Sequence, residues 1–387
     1  MGDGYDLPDT HDGGVRIMHV VPSLEPGGGS GLVLSLIAAL RFRIQFSIFV
    51  IDAVAKPSGV ALARVQQLQQ WHVPLLNRFG GHAADFGGAP MRLRRSIQLT
   101  RPHLVHLHLE HAELTFALAS LFPGTRPAPV HLRTVYRTTP WKGCRILGRW
   151  VAARLAGGDA VAVSSAAARA DYGLGARQKR DRAEVIPYGV EPSRVARLAG
   201  PRSPFRILFA GGMDQRAGAD LLPAIFEKAQ SRSGRKDVEV TLCGRGPLER
   251  RLREQLRLEV REWRFFFVRS IPHLVDRLSQ YDAVLMPSRS EGLSLLPIQV
   301  LLARVPLIAA RAPGLEDVVT SDYRLTAAID DVDALADCLV TVLGQDLTFV
   351  GSALRARVAR RFDITTMARS YEARYRTLAA RRKGGQG

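Results

Sequence analysis

One carboxylate and one amide, Glu291 and Gln299, stand eight positions apart around a predicted helix start. Residues 284–286 (VLM) form an apolar run typical of a buried strand, and residues 295–303 are apolar enough for a buried helix. Residues 305–310 are a second such run, so the stretch predicts one βαβ unit of a parallel sheet. Ligands of such sheets lie at the carboxyl ends of the strands, where Glu291 falls. The free N–H groups of a helix start hold a diphosphate, and a carboxylate beside them can fix sugar hydroxyls.

This stretch resembles the donor half of retaining glycosyltransferases of the family 4 type, whose signature is Glu-Gly-x-Gly-Leu-x-x-x-Glu. Residues 291–299 read EGLSLLPIQ, so the first glutamate is present, Ser294 replaces the second glycine and Gln299 replaces the second glutamate. The resemblance implies an α/β fold called GT-B, in which two Rossmann-like domains with parallel sheets face each other across a cleft. It also implies that Glu291 orients the hydroxyls of the sugar and that residue 299 holds the ribose, for which an amide can both donate and accept hydrogen bonds.

Two other loops of the second half match the same family in part. Residues 211–218 (GGMDQRAG) resemble its Gly-Arg-x-x-x-x-Lys-Gly loop, whose two cations clamp the donor diphosphate and stabilise the departing charge. Gly212 and Ala217 stand at the two cation positions, and Arg216, one residue out of register, is expected to substitute. Residues 244–247 (GRGP) match the family's Gly-x-Gly-Pro turn, and Arg245 adds a cation near the diphosphate.

The first half opens like a Rossmann-type domain, with an apolar strand at 15–22, a Gly-rich segment at 23–31 and an apolar helix at 32–40. There is no clean GxGxxG, and no acid stands in the expected place at the end of the second strand, which argues against an NAD-dependent dehydrogenase. In the family that the chain resembles, a Gly-Gly loop at this place faces the donor phosphates and the acceptor. Gly27, Gly28 and Gly29 match it, and a loop with no ligand role is the alternative.

Two histidines alternate near the end of a predicted strand, in residues 101–108 (RPHLVHLH), which resemble the family's Pro-Asp-Ile-Val-His-x-His segment. His106 and His108 would share one face of that strand, which would suit a metal. No third ligand stands out and the family typically needs none, so we predict a structural or acceptor-side role and no metal. At the end of the next strand the family has a histidine that contacts the donor sugar, and Tyr136, whose hydroxyl can bond a sugar, stands there.

These matches give a predicted set of site residues. The catalytic set is Glu291, Arg216 and Tyr136; the donor-binding set is Gly27, Gly28, Gly29, Gly211, Gly212, Gly244, Arg245, Arg269, Gly292, Leu293, Ser294, Leu295 and Gln299; the acceptor-side set is His106 and His108.

At 387 residues the chain is long enough for two domains with full cores. We predict a disordered leader at 1–14, an acceptor domain at 15–190, a linker at 191–204 and a donor domain at 205–361. The first domain ends with residues 186–190 (IPYGV), which resemble the family's Ile-Pro-Asn-Gly-Val segment. The resemblance further implies that a terminal helix at 362–380 packs back on the first domain.

The excess of 54 Lys+Arg over 36 Asp+Glu, a net charge of +18, predicts polyanionic partners. The chain has no zinc-finger, RNP or helix-turn-helix pattern, which argues against nucleic acid. Residues 141–156 have helical spacing. Two interpretations of this helix remain possible, a helix at a membrane surface and a helix packed on the core. The spacing puts apolar Trp141, Ile146, Trp150 and Val151 on one side, and Lys142, Arg145, Arg149 and Arg154 on another. Apolar segments too short to span a membrane and three scattered cysteines predict a cytoplasmic protein, peripheral at the inner face of the cell membrane.

We therefore expect a retaining glycosyltransferase that moves a hexose from a nucleotide-diphosphate sugar to a saccharide or lipid-linked acceptor in envelope or exopolysaccharide synthesis. It would need no cofactor beyond this co-substrate. The alternative is a GT-B protein that has lost catalysis and serves as a scaffold in glycan assembly, because Gly212, Ala217, Tyr136 and Gln299 each depart from the family pattern.

Overall fold

Two parallel β-sheets form the framework of the computed structural model, which describes residues 14–25, 27–52, 57–77, 88–122, 129–174, 183–191, 203–290, 294–319, 321–344 and 352–384. The first sheet has seven strands in the order β3-β2-β1-β4-β5-β6-β7. Its strands are Val15–Val21 (β1), Ile44–Val50 (β2), Leu75–Leu76 (β3), Leu104–His108 (β4), Val130–Val135 (β5), Asp159–Ala162 (β6) and Glu184–Val185 (β7). The helices between them are Gly28–Leu40 (α1), Gly59–Gln70 (α2), Ala89–Thr100 (α3), Leu109–Ala119 (α4), Arg145–Arg154 (α5) and Ser165–Leu174 (α6).

The second sheet has six parallel strands in the order β10-β9-β8-β11-β12-β13. Its strands are Phe205–Ala210 (β8), Val238–Cys243 (β9), Arg264–Val268 (β10), Ala283–Met286 (β11), Leu307–Ala310 (β12) and Thr326–Ala327 (β13). The helices are Leu222–Ser233 (α7), Glu249–Glu259 (α8), Leu274–Arg277 (α9), Leu295–Leu302 (α10), Val332–Gly344 (α11), Ser352–Arg361 (α12) and Ile364–Gly384 (α13). A 3₁₀ turn, Leu315–Asp317, follows β12.

The central strands of both sheets are buried along most of their length because helices cover both of their faces. All five residues from Ile17 to Val21 in β1 are buried, and so are all four of β11. In each sheet the strand order reverses beside the first strand of the domain, between β1 and β4 and between β8 and β11. Ligands of doubly wound sheets bind at this point, outside the carboxyl ends of the strands.

The chain returns to the first domain at its C-terminal end. The N–H of Val190 donates to the carbonyl of Phe362 (2.8 Å), and a Cβ at Gly189 would lie 2.4 Å from the Cα of Ile364. From there α13 packs against α1 and across β1, β4 and β5. Its two tyrosines, Tyr371 and Tyr375, are fully buried.

Asp317, in the second domain, joins the two domains through two hydrogen bonds to Ser165. Its carboxylate accepts the N–H of Ser165, the first residue of α6 (2.8 Å), and the hydroxyl of the same serine (3.0 Å). It also accepts a bond from Arg361 (2.7 Å) and is itself buried. A carboxylate at the start of a helix satisfies a free N–H group and complements the helix dipole.

Several predicted boundaries differ in the structure. The predicted helix at 32–40 begins earlier, so Gly28 and Gly29 are in its first turn rather than in a loop. The predicted helix at 141–156 begins only at Arg145, because residue 141 has a left-handed backbone. The second domain ends in α12, a helix that the sequence pattern does not separate. The predicted leader and linker fall almost wholly outside the described residues. Among the helices of the described ranges, none has the length and apolar character to cross a bilayer.

Candidate active site

The loops after β8, β9 and β11 form one hydrogen-bonded surface at the carboxyl edge of the second sheet. We call this surface, residues 211–218, 244–248 and 287–290, the donor-side platform. Its backbone bonds run from the N–H of Gly211 to the carbonyl of Cys243 (3.0 Å), from Met213 to Arg245 (2.9 Å) and from Arg289 to Arg216 (3.0 Å). The platform therefore lies at the point of strand reversal, where a ligand is expected.

Glycines allow the three loops to approach this closely. A Cβ at Gly244 would lie 1.9 Å from the carbonyl oxygen of Gly211, and one at Gly246 would lie 2.2 Å from that of Met213. Gly218 has a left-handed φ of 71°, and its Cβ would lie 2.0 Å from the carbonyl oxygen of Pro287. Gly244, Gly246 and Gly218, of which only Gly244 is in the predicted donor-binding set, thus let backbone pack on backbone.

Two arginines project from the platform into solvent. Arg216 and Arg245 are exposed, and their side chains make no hydrogen bond or ion pair with the described residues. Arg269, at the end of the neighbouring strand β10, is also exposed. Ala217 stands where the family has its lysine and is buried, so no cation comes from that position. Arg216 and Arg245 are therefore the cations that this surface offers to an anionic ligand.

A third platform arginine, Arg289, has a different role that the sequence did not indicate. It bonds both oxygens of Asp220 (2.7 and 2.8 Å) and one oxygen of Asp330 (2.6 Å), and it also donates to the carbonyl of Gln215. Hydrogen bonding to these carboxylates raises the pKa of the Arg289 guanidinium. Because four of its five N–H donors bond these groups, Arg289 fixes the loop of Arg216 relative to the loop that leads to Glu291.

Helix α10 follows the platform segment 287–290 in the chain and begins at Leu295. Ser294 is its N-cap residue in extended conformation, and its side chain makes no capping bond. The N–H groups of Leu295 and Leu296 therefore remain free of a side-chain cap, as a helix N-terminus that binds phosphate requires. Gln299 lies one turn further along and is half-buried. Glu291, Gly292 and Leu293 lie outside the described residues, but the hydroxyl of Ser290 is 3.3 Å from that of Thr138 in the first domain.

Across the cleft, α1 begins at Gly28 with Gly27 as its N-cap. A Cβ at Gly28 would lie 2.6 Å from the hydroxyl oxygen of Tyr188, and one at Gly29 would lie 3.3 Å from the side chain of Leu109. The small residues of this segment are thus required by side chains packed directly behind the helix start. Tyr188, which replaces the family's asparagine, is the nearest of them.

His106 and His108 are joined by a third imidazole, His19 of β1. His19 Nδ1 lies 2.9 Å from His108 Nε2, and all three residues are fully buried. The remaining contacts of the histidines are with hydroxyl groups. They link His106 Nδ1 to Tyr375 (2.8 Å), His106 Nε2 to Thr134 (2.7 Å) and His108 Nδ1 to Tyr136 (2.6 Å).

This cluster has the spacing of a metal site but the bonding of a structural network. One nitrogen from each ring lies within 4.8 Å of the others. Five of the six ring nitrogens are nevertheless bonded to protein groups, and only His19 Nε2 has no partner among the described residues. Burial lowers the pKa of His19 to about 3 and the pKa values of His106 and His108 well below their usual range. The three rings are therefore neutral at pH 7, and an ion would have to displace short hydrogen bonds.

The two strand histidines, predicted to have a structural or acceptor-side role, are fully buried, and neither ring reaches the surface. The alternative of a structural role fits the contacts. His19 was missed because it stands 87 positions before His106, and only the pairing of β1 with β4 places them side by side. The hydroxyl of Tyr136 points to His108, so its predicted bond to a sugar would compete with this contact.

Solved glycosyltransferase structures are similar to the chain over almost its whole length. Anabaena HepE in complex with UDP and glucose has a TM-score of 0.73 and 17% identity, covering 93% of this chain and 98% of that chain. Sucrose-phosphate synthase from Thermosynechococcus elongatus has a TM-score of 0.71 and 19% identity (95% and 99% covered). The lipopolysaccharide outer core galactosyltransferase WaaB in its apo form has a TM-score of 0.67 and 14% identity, covering 95% of this chain and 100% of that chain. The fold is GT-B, as predicted.

Two family models match consecutive parts of the sequence. The model described as Glycosyltransferase Family 4 matches residues 26–194, and the model described as Glycosyl transferases group 1 matches residues 204–345. The chain belongs to the family 4-like glycosyltransferases, which confirms the resemblance drawn from its motifs. No curated protein sequence matches the chain.

Proposed function

We propose that this glycosyltransferase transfers a hexose, with retention of anomeric configuration, from a nucleotide-diphosphate sugar. The observation that carries the proposal is the donor-side platform. Two arginines, Arg216 and Arg245, without a partner among the described residues, stand on this hydrogen-bonded surface, and the start of α10, which follows the platform in the chain, has no side-chain cap. Fixed positive charge interacts more strongly with the departing diphosphate in the transition state than in the ground state. This difference in interaction energy accelerates the transfer.

Each residue of the site has a defined part in this proposal. The N–H groups at the start of α10 and the two arginines hold the diphosphate, and Gln299 bonds the ribose. Glu291 orients the sugar hydroxyls, and Arg289 keeps the arginine loop in place. In retaining members of the family that the chain resembles, the departing phosphate deprotonates the acceptor, so no protein base is required. HepE, which has been solved with UDP and with UDP-glucose, supports a uridine donor.

The donor is tested by thermal shift against UDP, GDP, ADP and their common sugar conjugates. A nucleotide at a hundred times its Kd stabilises the fold by about 2.7 kcal/mol, which is a visible shift. We expect one nucleotide to stand out and its shift to be lost in Gln299→Ala. Gln70→Ala, exposed on α2 of the first domain, is the control and should keep the full shift. No shift with any nucleotide, for a folded sample, would reject the donor site.

We further propose that the enzyme works at an anionic membrane surface in the cytoplasm, on a saccharide or lipid-linked acceptor of envelope or exopolysaccharide synthesis. The support is α5, where Ile146 (87% exposed), Leu147 and Trp150 face solvent among Arg145 and Arg149. The prediction that Val151 shares their face is wrong, since that side chain is buried. Exposed apolar groups among arginines are typical of an interfacial helix and not of core packing.

Vesicle co-sedimentation tests the membrane proposal. The wild type should sediment with vesicles that contain phosphatidylglycerol and not with phosphatidylcholine alone, with binding that falls as salt rises. Ile146→Ser with Trp150→Ser should lose most of the binding. Phe42→Ser, at an 85% exposed position after α1, should not. Equal binding by all variants would remove α5 from the proposal.

A catalytically inactive scaffold is the second candidate, and the burial of Ala217 at the lysine position favours it. The two candidates differ in turnover. If the enzyme is active, Arg216→Ala should lower kcat about a hundredfold, the usual cost of removing one stabilising donor. A wild type that binds the nucleotide sugar but neither transfers nor hydrolyses it would establish the scaffold instead.

A further inference from the structure

Arg64 of α2 holds the loop that leads from β1 into α1. Its Nη1 donates to the carbonyl oxygens of Leu24 (2.8 Å) and Glu25 (2.9 Å) and to the hydroxyl of Ser30 (2.9 Å). Arg64 is half-buried and stands 34 to 40 positions further along the chain than these partners. It therefore ties together the two ends of the loop that contains the predicted donor-binding glycines, residues 27–29.

Two further hydrogen bonds complete the attachment of the loop to α2. The hydroxyl of Ser30, buried in the first turn of α1, donates to the carbonyl oxygen of Glu25 (2.7 Å). The carboxylate of Glu25 accepts the N–H of Ser58 (2.9 Å), which is the N-cap residue of α2. Loop and helix are thus bonded in both directions, and Arg64 supplies three of these bonds.

The bonds of Arg64 determine the polarity of the loop. A carbonyl oxygen carries partial negative charge and repels a phosphate, whereas the free N–H groups of a helix start attract one. The carbonyl groups of Leu24 and Glu25 are turned to Arg64, and the start of α1 has no side-chain cap because its N-cap residue is Gly27. Gly27 and Gly28 are exposed beyond the carboxyl end of β1, where the strand order reverses. The loop therefore presents N–H groups to the cleft while its carbonyl groups are held by α2.

We propose that Arg64 is a positioning residue of the transferase, which holds the β1–α1 loop in the conformation that lets the start of α1 bond the donor phosphates. The inference rests on the proposed function, and Arg64 acts through the loop, without contact with the nucleotide sugar. Without the guanidinium, two carbonyl groups and the Ser30 hydroxyl lose their donor, and the loop is free to turn a carbonyl oxygen toward the phosphate. A displacement of about 1 Å at such a contact lowers a rate by about a hundredfold.

Hydrogen exchange tests this role without the need for turnover. The probe is UDP-glucose, GDP-mannose or ADP-glucose, whichever gives the wild type its largest thermal shift. It should slow the exchange of wild-type peptides that cover residues 27–36 and residues 294–302. Arg64→Met, which keeps the apolar stem but has no donor, should lose the protection at 27–36 and keep it at 294–302 in the other domain. Arg64→Lys, whose ammonium group has three donors, should recover the protection at 27–36.

Steady-state kinetics distinguish positioning from a merely structural role. Arg64→Met should lower kcat by about a hundredfold, while the Kd of the nucleoside diphosphate changes less than about twofold, because the donor-side platform that binds it is intact. Gln66→Met, at an exposed position of the same helix, is the matched control and should keep both the rate and the protection.

The inference is overturned if the loop of the wild type gains no protection, if Arg64→Met keeps that protection or the wild-type kcat, or if Arg64→Lys is as impaired as Arg64→Met. Absence of protection at 294–302 in the wild type would instead reject the proposed donor site, so the two failures are distinguishable.

Discussion

The buried carboxyl of Glu113 should make the stability of the first domain depend on pH. Its pKa in the folded protein is about 7, against an ordinary value of 4.5, and burial is the largest cause of this rise. Between these two values the folded state binds more protons than the unfolded chain, so stability falls as pH rises. The stability that the protonated Glu113 carboxyl contributes is complete below about pH 4.5 and is lost above about pH 7.

The size of this effect follows from the difference between the two pKa values. A difference of about 2.5 pKa units, at 1.36 kcal/mol per unit, corresponds to about 3 kcal/mol of unfolding free energy lost across this range. Glu113→Gln keeps the shape of the side chain and cannot ionise. The unfolding free energy of the wild type minus that of the variant should therefore fall by about 3 kcal/mol between pH 4.5 and pH 8. The other titrating groups are the same in both proteins, so their effects cancel in this difference.

Urea denaturation of both proteins at half-unit pH steps gives this difference. Tryptophan fluorescence is a suitable signal, because three of the four tryptophans belong to the first domain. Glu254→Gln on α8, an exposed position, should show a difference that does not change with pH. If the Glu113→Gln difference were also independent of pH, or if the wild type gained stability relative to the variant as pH rose, the argument from burial would be refuted.

Three further predictions concern the framework. Gly218→Ala combines left-handed strain with a clash against a carbonyl oxygen and should lower the unfolding free energy by about 3 kcal/mol. Gly234→Ala is equally left-handed but has open space around its Cβ, and should lower it by about 1 kcal/mol. Equal losses for the two variants in urea denaturation would contradict the clash. Tyr375→Phe leaves a buried histidine nitrogen without its partner and should lower the unfolding free energy by about 1–2 kcal/mol; an unchanged urea midpoint would argue against the network. Asp317→Ala removes the cap of α6 and should cost about 2 kcal/mol, while Glu316→Ala, which breaks only an exposed ion pair, should cost less than about 0.5 kcal/mol by the same measurement.

Local patterns were enough to predict both Rossmann-like domains. Buried strands and amphipathic or buried helices repeat with periods that can be read within ten or so residues, and the βαβ unit around α10 was placed to within two residues at each end. The motifs around Glu291, Arg216 and Arg245 are equally local, since each belongs to one turn of the chain. For this reason the sequence alone yields a prediction for the donor half of the site.

Tertiary structure alone decided which distant side chains meet. Strand order placed His19 beside His106 and brought α4, β5 and α6 together around Arg133, and no spacing in the sequence encodes those pairings. It also decided that Ile146 faces solvent while Val151 is buried, because helical periodicity shows the spacing of apolar residues but not which side the sheet will cover. Sequence determines the elements through local geometry. The neighbours of each side chain depend on how those elements pack, which is a property of the whole fold.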